Sequence, residues 1–276
     1  MSDKEIKRID VEKLIASKNP KLLKWLPRFV ISYLKKIIHE KDVNTFLVKS
    51  HGQKNQDFCA AVVDDFDLDV FISNLENIPS TGPATVVMNH PLGGMDAIAF
   101  VHALANYRTD IKFVVNDLLL NLEGMKEMFA GVNKYGSNSL NSKKKVADLF
   151  ETDELICIFP AGLVSRKKGG KVRDLEWKKT FLTMSRKADR VIVPVHINGR
   201  LSNFFYNLAN FRSFLGIKAN IEMLYLVNEL YKQNGRKIQF IVGEPINVSS
   251  FDKSKSDVAW AAWMKDKVYA LAEKSI

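Results

Sequence analysis

The sequence predicts an α/β fold: a central, mostly parallel sheet flanked by helices, with an N-terminal amphipathic helical segment. Three observations carry this. Short apolar runs of strand length recur along the chain, segments of helical period separate most of them, and two runs end in loops rich in glycine and proline. Such alternation builds a parallel sheet covered on both faces. A chain of 276 residues suits one large domain with a small appendage. The division expected is an N-terminal helical segment, 1–50, and an α/β domain, 51–276.

Segment 19–38 is the first element with a clear pattern. Asn19 followed by Pro20 is a helix start, a capping side chain and then proline at the first helical position. Leu22, Leu23, Trp25, Leu26, Phe29, Val30, Tyr33, Leu34, Ile37 and Ile38 recur at helical spacing. Lys21, Lys24, Arg28, Lys35 and Lys36 take the other side, and Pro27 is expected to break the run into two helices. A basic amphipathic segment with Trp and Tyr suits a bilayer interface. The same pattern fits a helix packed on the protein's own core with solvated lysines, and periodicity alone does not choose.

The strands follow. Leu68, Val70 and Ile72 alternate with polar or exposed positions, and residues 76–83 are turn-forming. Ala84–Met88 is short and apolar throughout. Strands are also expected at 111–115, 154–159, 191–197 and 237–242, and helices at 97–107, 117–130, 141–150, 176–187 and 256–274.

Totals narrow the function classes. Hydrophobic residues make up 46% and charged residues 26%, the balance of a globular protein. The net charge of +10 favours an anionic partner: a membrane surface, an acidic carrier protein or nucleic acid. No recognition helix or aromatic RNA-binding signature is present, so nucleic acid is not expected. Cys59 and Cys157 offer neither a disulfide framework nor zinc spacing, so the default compartment is reducing. No run reaches the length needed to span a bilayer, and the start of the chain lacks a signal peptide's apolar region. Association with a membrane is therefore expected to be peripheral, at the inner, cytoplasmic face.

Two loops could carry chemistry. His90 follows the apolar run 84–88 directly, in Asn89-His90-Pro91-Leu92-Gly93-Gly94-Met95-Asp96. Sites in open α/β sheets lie beyond the carboxyl ends of strands. Asp96, at the expected helix start, can accept from one imidazole nitrogen and leave the other free to take a proton. Gly93 and Gly94 let the backbone approach a ligand closely. Standing alone, the pair also fits a surface histidine beside a capping aspartate. With no serine or cysteine partner, it points to direct attack by a substrate hydroxyl. The second loop, Phe159-Pro160-Ala161-Gly162-Leu163-Val164-Ser165-Arg166, also follows an expected strand. Ser165 and Arg166 could bind a polar or anionic head group there, or the loop could be a solvated charged turn. His196 reads as structural.

Asn89-His90 through Asp96, Phe159-Pro160-Ala161-Gly162 and Val193-Pro194-Val195 resemble, in order, the blocks of the glycerolipid acyltransferase family, which includes the lysophosphatidic acid acyltransferases. The resemblance spans roughly residues 65–247. Five residues, Pro91 to Met95, separate His90 from Asp96, one more than in the family majority. Ala161 stands where the majority has glutamate, and Leu163 where relatives often have an acid. The first two departures, with Asp174, Trp177, Phe181, Asn198-Gly199-Arg200 and Tyr206, resemble the hemolysin-like and lyso-ornithine-lipid O-acyltransferase branch. They weigh against a lysophosphatidate acceptor.

The resemblance implies an O-acyltransferase with His90 as general base and Asp96 as its orienting partner. Asn89, Gly93, Gly94, Gly162, Ser165 and Arg166 are expected around the substrate, with glycine N–H groups as oxyanion donors and Ser165 and Arg166 on the acceptor head group. The implied partners are a membrane surface met by residues 19–38, a lysolipid, and an acyl carrier protein or coenzyme A thioester as donor. Neither a metal nor another cofactor is implied. The acceptor expected is a lyso-aminolipid of the ornithine or glycine type. A 1-acylglycerol-3-phosphate acyltransferase is the second reading, and a non-catalytic basic membrane-binding protein the third.

Overall fold

The computed structural model describes residues 8–116, 122–132 and 139–273. Four helices come first: α1 (Val11–Lys18), α2 (Pro20–Trp25), α3 (Arg28–Ile37) and α4 (Glu40–Lys49). Then follow α5 (Asn55–Asp65), β1 (Asp69–Ser73), β2 (Ala84–Met88), α6 (Gly94–Leu104), β3 (Ile111–Asn116), β4 (Phe129–Val132), α7 (Ser139–Phe150) and β5 (Leu155–Ile158). A hairpin, β6 (Arg166–Lys168) with β7 (Lys171–Arg173), precedes α8 (Thr180–Lys187), β8 (Val191–Asn198), α9 (Asn203–Phe214), α10 (Leu226–Tyr231), β9 (Lys237–Val242) and α11 (Asp257–Glu273).

Seven strands form one sheet in the order β1-β9-β8-β2-β5-β3-β4. All neighbours are parallel except β8 and β9, so the five strands from β8 to β4 run one way and the β1–β9 pair runs the other. The central strand β2 is buried at every position, as expected of an apolar run covered on both faces. Its neighbours β5 and β8 are parallel to it, so the loops after Met88 and Ile158 leave the same edge of the sheet.

The chain forms two compact units. Residues up to Gln53 group with Ser202–Asn234, and Lys54–Leu201 groups with the chain from Gly235 onward. The expected N-terminal segment thus has a second contributor, carrying α9 and α10. Within that unit Asn19 caps α2, its side chain accepting from Leu22 N at 3.0 Å, and Pro27 stands between α2 and α3. Within this segment Ile37 is buried, whereas Trp25 is 89% and Phe29 74% exposed.

Two expectations for the larger unit change. Within 117–130, where a helix was expected, the described residues form a 3-10 turn (Glu123–Met128) and begin β4, while 117–121 lie outside the described residues. β4 adds a parallel edge strand to β3. The basic run after Ser165 forms the β6–β7 hairpin, and Gly169 and Gly170, both at positive φ, make its turn.

The opposite edge of the sheet is held by Arg190, wholly buried just before β8. Its guanidinium donates to the carbonyls of Phe150, Thr152, Ala84 and Glu154, tying together the ends of α7, β2 and β5. Burial draws this side chain down to about 10, still charged at neutral pH. Arg190→Leu is expected to destabilise the protein by about 3 kcal/mol or more, because it strands several buried acceptors at once. Chemical denaturation followed by circular dichroism measures this, and a loss below about 1 kcal/mol contradicts it.

Candidate active site

The site begins where β2 ends. Asn89 is buried, and its side-chain amide donates to Ile197 O at 2.9 Å while its oxygen accepts from Ile197 N at 2.7 Å. The amide thereby imitates one more rung of the β2–β8 ladder. Asn89 was expected near the substrate; its side chain serves to fix the chain entering the His90 loop.

His90 follows, its side chain partly exposed. Its ring stacks on Phe159, centroids 4.1 Å apart, so the residue after β5 sets the plane of the imidazole after β2. Nδ1 lies 2.9 Å from Asp96 Oδ2. The same oxygen accepts from Leu92 N at 3.0 Å, which closes the loop on itself. An ionised carboxylate only accepts, so Nδ1 carries the proton and Nε2 keeps its lone pair. Asp96 is 0% exposed. Burial pushes its carboxyl above the ordinary range, while the bond from His90 draws it back down.

Gly93 makes the turn possible. Its φ of 74° and ψ of −135° are open to glycine alone, and it caps α6. Gly94 has open space where a Cβ would point. At the start of α6 Asp96 N donates back to Gly93 O at 3.0 Å, while the N–H groups before it, as at any helix start, have no acceptor one turn back in the helix. Gly199 explains part of the Asn198-Gly199-Arg200 motif, since a Cβ there would meet the Leu92 side chain at 2.9 Å.

The second loop holds the first from below. Ser165 N donates to His90 O at 2.8 Å. Asp174 Oδ1 accepts from His90 N at 3.1 Å and from Ser165 Oγ at 2.6 Å, and its Oδ2 accepts from Trp177 Nε1 at 2.8 Å. Asp174 N in turn donates to Tyr269 Oη at 2.7 Å, and Lys265 Nζ donates to Asp174 O at 2.6 Å. Phe181 meets Trp177 edge-on.

Ser165 is 1% exposed and its hydroxyl donates to Asp174, so it braces the loop. Gly162 N donates to Phe159 O at 2.9 Å, which closes the turn after β5. Arg166 is buried at the start of β6, with Nη1 donating to Val164 O at 2.7 Å. Asp174 and Trp177 carried no expected role from local pattern; their match to the hemolysin-like branch was the available signal. Ala161 packs in an apolar cluster with Trp177 and Phe181. His196 is buried, and burial pushes its imidazole down to about 4, so it is neutral near pH 7. Among the described residues no three His, Cys, Asp or Glu side chains gather as a metal-holding group.

A family model described as Acyltransferase matches residues 13–275. The chain belongs to the acyltransferase family. It is 46% identical over 272 residues to a lyso-glycine lipid O-acyltransferase of Phocaeicola vulgatus, covering 98% of each chain. It is 45% identical to the protein of the same description from Bacteroides thetaiotaomicron, covering 98% of this chain and all of that one. Its fold is similar to that of the 1-acyl-sn-glycerophosphate (LPA) acyltransferase PlsC of Thermotoga maritima: TM-score 0.51, 16% identity, 90% of this chain and 92% of that one.

The acyltransferase therefore carries a His–Asp pair braced by a polar chain. Asp96→Asn keeps an oxygen for Leu92 N and His90 Nδ1 but removes the charge. It is expected to fold and to lose about 10²-fold or more in kcat, since a developing imidazolium then lacks its counter-charge. Steady-state rates beside a melting curve test this, and a wild-type rate reduces Asp96 to a cap. Ser165→Ala is expected to lower the melting temperature by a few degrees while leaving KM for the lysolipid within about twofold, the signature of bracing rather than of substrate contact.

Proposed function

We propose that the protein is a lyso-glycine lipid O-acyltransferase, moving a fatty acyl chain from a thioester to an oxygen of the lysolipid. The acceptor follows the two relatives at 45–46% identity over nearly the whole chain. The observation that carries the chemistry is the bond from His90 Nδ1 to the buried Asp96 carboxylate.

The lysolipid hydroxyl hydrogen-bonds to His90 Nε2. As its oxygen attacks the thioester carbonyl, the proton passes to Nε2 and the Asp96 charge steadies the imidazolium. The N–H groups at the start of α6, Gly94 first, face the developing oxyanion. The tetrahedral intermediate then collapses with cleavage of the C–S bond, the departing thiolate takes the proton from His90 and leaves as the thiol, and both ring and carboxylate return to their starting states. No enzyme nucleophile takes part. Arg166, a cation fixed beside this loop by the Val164 carbonyl, meets the polar end of the acceptor.

The donor is an acyl carrier protein or coenzyme A thioester, and no further cofactor is required. Segment 19–38, with Trp25 and Phe29 outward among lysines, rests on the inner face of the membrane and gives the site access to a lipid acceptor.

A panel assay tests the reading. Purified protein is given either thioester with lyso-glycine lipid, lyso-ornithine lipid or lysophosphatidate, and the product is weighed by mass spectrometry. Product from lyso-glycine lipid is expected, with His90→Ala lowering turnover by about 10²–10⁴-fold. Product from lysophosphatidate alone would replace the acceptor, and an undiminished His90→Ala rate would end the mechanism.

A further inference from the structure

None of the apolar side chains exposed between residues 203 and 224 has a part in the chemistry. On α9, Phe204, Phe211 and Phe214 fall on one face, and Phe205, Tyr206 and Ala209 are buried on the other. Phe211 is 59% and Phe214 85% exposed, and Leu215 and Leu224 are exposed beyond the helix. Large aromatic side chains left in water at this density mark an interaction surface.

This surface joins that of the N-terminal helices within the same compact unit. Tyr225, closing the 3-10 turn Ile221–Tyr225, shares a hydrogen bond of 2.8 Å with Tyr33 of α3. Its ring lies edge-on to both Tyr33, centroids 6.5 Å apart, and Phe204, 4.9 Å apart. Tyr33 is one helical turn beyond Phe29. One aromatic seam therefore links α3 to the start of α9.

The charges select the occupant. Residues 18–38 contain Lys18, Lys21, Lys24, Arg28, Lys35 and Lys36 and no carboxylate; residues 203–221 contain Arg212 and Lys218 and no carboxylate. The two acids that follow are withdrawn from the surface. Glu222 is 0% exposed and bound by Arg212 at 2.9 Å, and Glu229 is likewise buried, bound by Lys232 at 2.6 Å. Lys35 is paired with the exposed Glu12; the aromatic groups stand among the remaining cations of two stretches that carry no acid of their own, and the acids that close the second are buried and paired, which matches an anionic lipid surface. A second copy of this chain would bring the same cations face to face.

We infer that residues 203–224 form the second half of the membrane-docking face, with Phe211 and Phe214 as its inserting pair and an anionic bilayer as its occupant. The inference rests on the reading of segment 19–38 as membrane-facing and extends it to a stretch of chain far away in sequence.

Co-sedimentation of the full chain with phosphatidylcholine vesicles, with and without phosphatidylglycerol, tests it. The variants are F211S/F214S and W25S/F29S, each checked for fold by circular dichroism and for turnover on detergent-dispersed lysolipid. Each pair is expected to lower vesicle partition by about tenfold or more, because apolar insertion is lost, and F211S/F214S to leave turnover in detergent unchanged. Wild-type binding by F211S/F214S, with binding lost in W25S/F29S, overturns this inference and leaves the N-terminal reading in place. No binding by the wild-type chain overturns both. Unchanged vesicle binding with a weakened dimer in sedimentation velocity would assign the face to a second copy and overturn the proposal.

Discussion

The site depends on one buried charge. Asp96 is removed from water completely, and an ionised carboxylate in that position is costly unless donors converge on it. Two do, the His90 ring and the Leu92 main chain, and both meet the same oxygen. The imidazole thereby acquires a fixed tautomer, and the loop between strand and helix acquires a fixed shape. Neither would hold if the carboxylate could be solvated instead. Burial that penalises the charge at rest also makes it more effective when a second charge forms on His90, because little water is present to screen the attraction.

A buried charge is useful only if its partner cannot drift. His90 is held by main-chain and ring contacts from three directions. Asn89 continues the β2–β8 ladder past its last residue, Ser165 and Asp174 grip the His90 main chain, and Phe159 lies against the ring. Asp174 uses both of its oxygens, on the His90 N–H, the Ser165 hydroxyl and the Trp177 indole. A fully satisfied buried network of this kind rigidifies the elements that enter it. The parallel neighbours of β2 make it possible, since they deliver the loops after β2 and β5 to one edge.

The parts of this arrangement that follow from local chemistry were legible in the sequence. The run Ala84–Met88 with His90 beyond it, the glycines at 93 and 94 and the acid at 96 each reflect a constraint met within a few residues. Pro20 and Pro27 marked the ends of α2 and α3 for the same reason. What escaped depends on contacts far apart in sequence. The bond from Ser165 to Asp174 was not legible, because nothing local shows that the two side chains meet. The helix expected over 117–130 gave way to a strand at Phe129 because β3 offers an edge to pair with, a tertiary fact that periodicity does not contain. The hairpin at 166–173 was hidden by charge, although the paired glycines are its turn signal. The union of Ser202–Asn234 with the first helices joins residues nearly two hundred positions apart, as Tyr33 and Tyr225 illustrate.

The absence of an acid at position 161 has a physical cause within this chain. Ala161 sits in the cluster that holds Trp177, Phe181 and Trp260, and the two buried indoles there are already engaged, Trp177 donating to Asp174 and Trp260 to Asp252 O. A glutamate there would place an unpaired carboxylate among apolar side chains, at a cost of several kcal/mol. The acid that this region does contain is Asp174, thirteen residues later, and it faces the His90 main chain rather than the apolar cluster. Ala161 and the Asp174–Trp177 pair are therefore parts of one arrangement. Trp177 packs in the same cluster as Ala161, and its N–H helps hold the carboxylate that anchors the histidine loop. Loss of the indole would take from Asp174 Oδ2 its donor and from the cluster a large buried side chain, so the apolar cluster and the loop that carries the histidine stand or fall together.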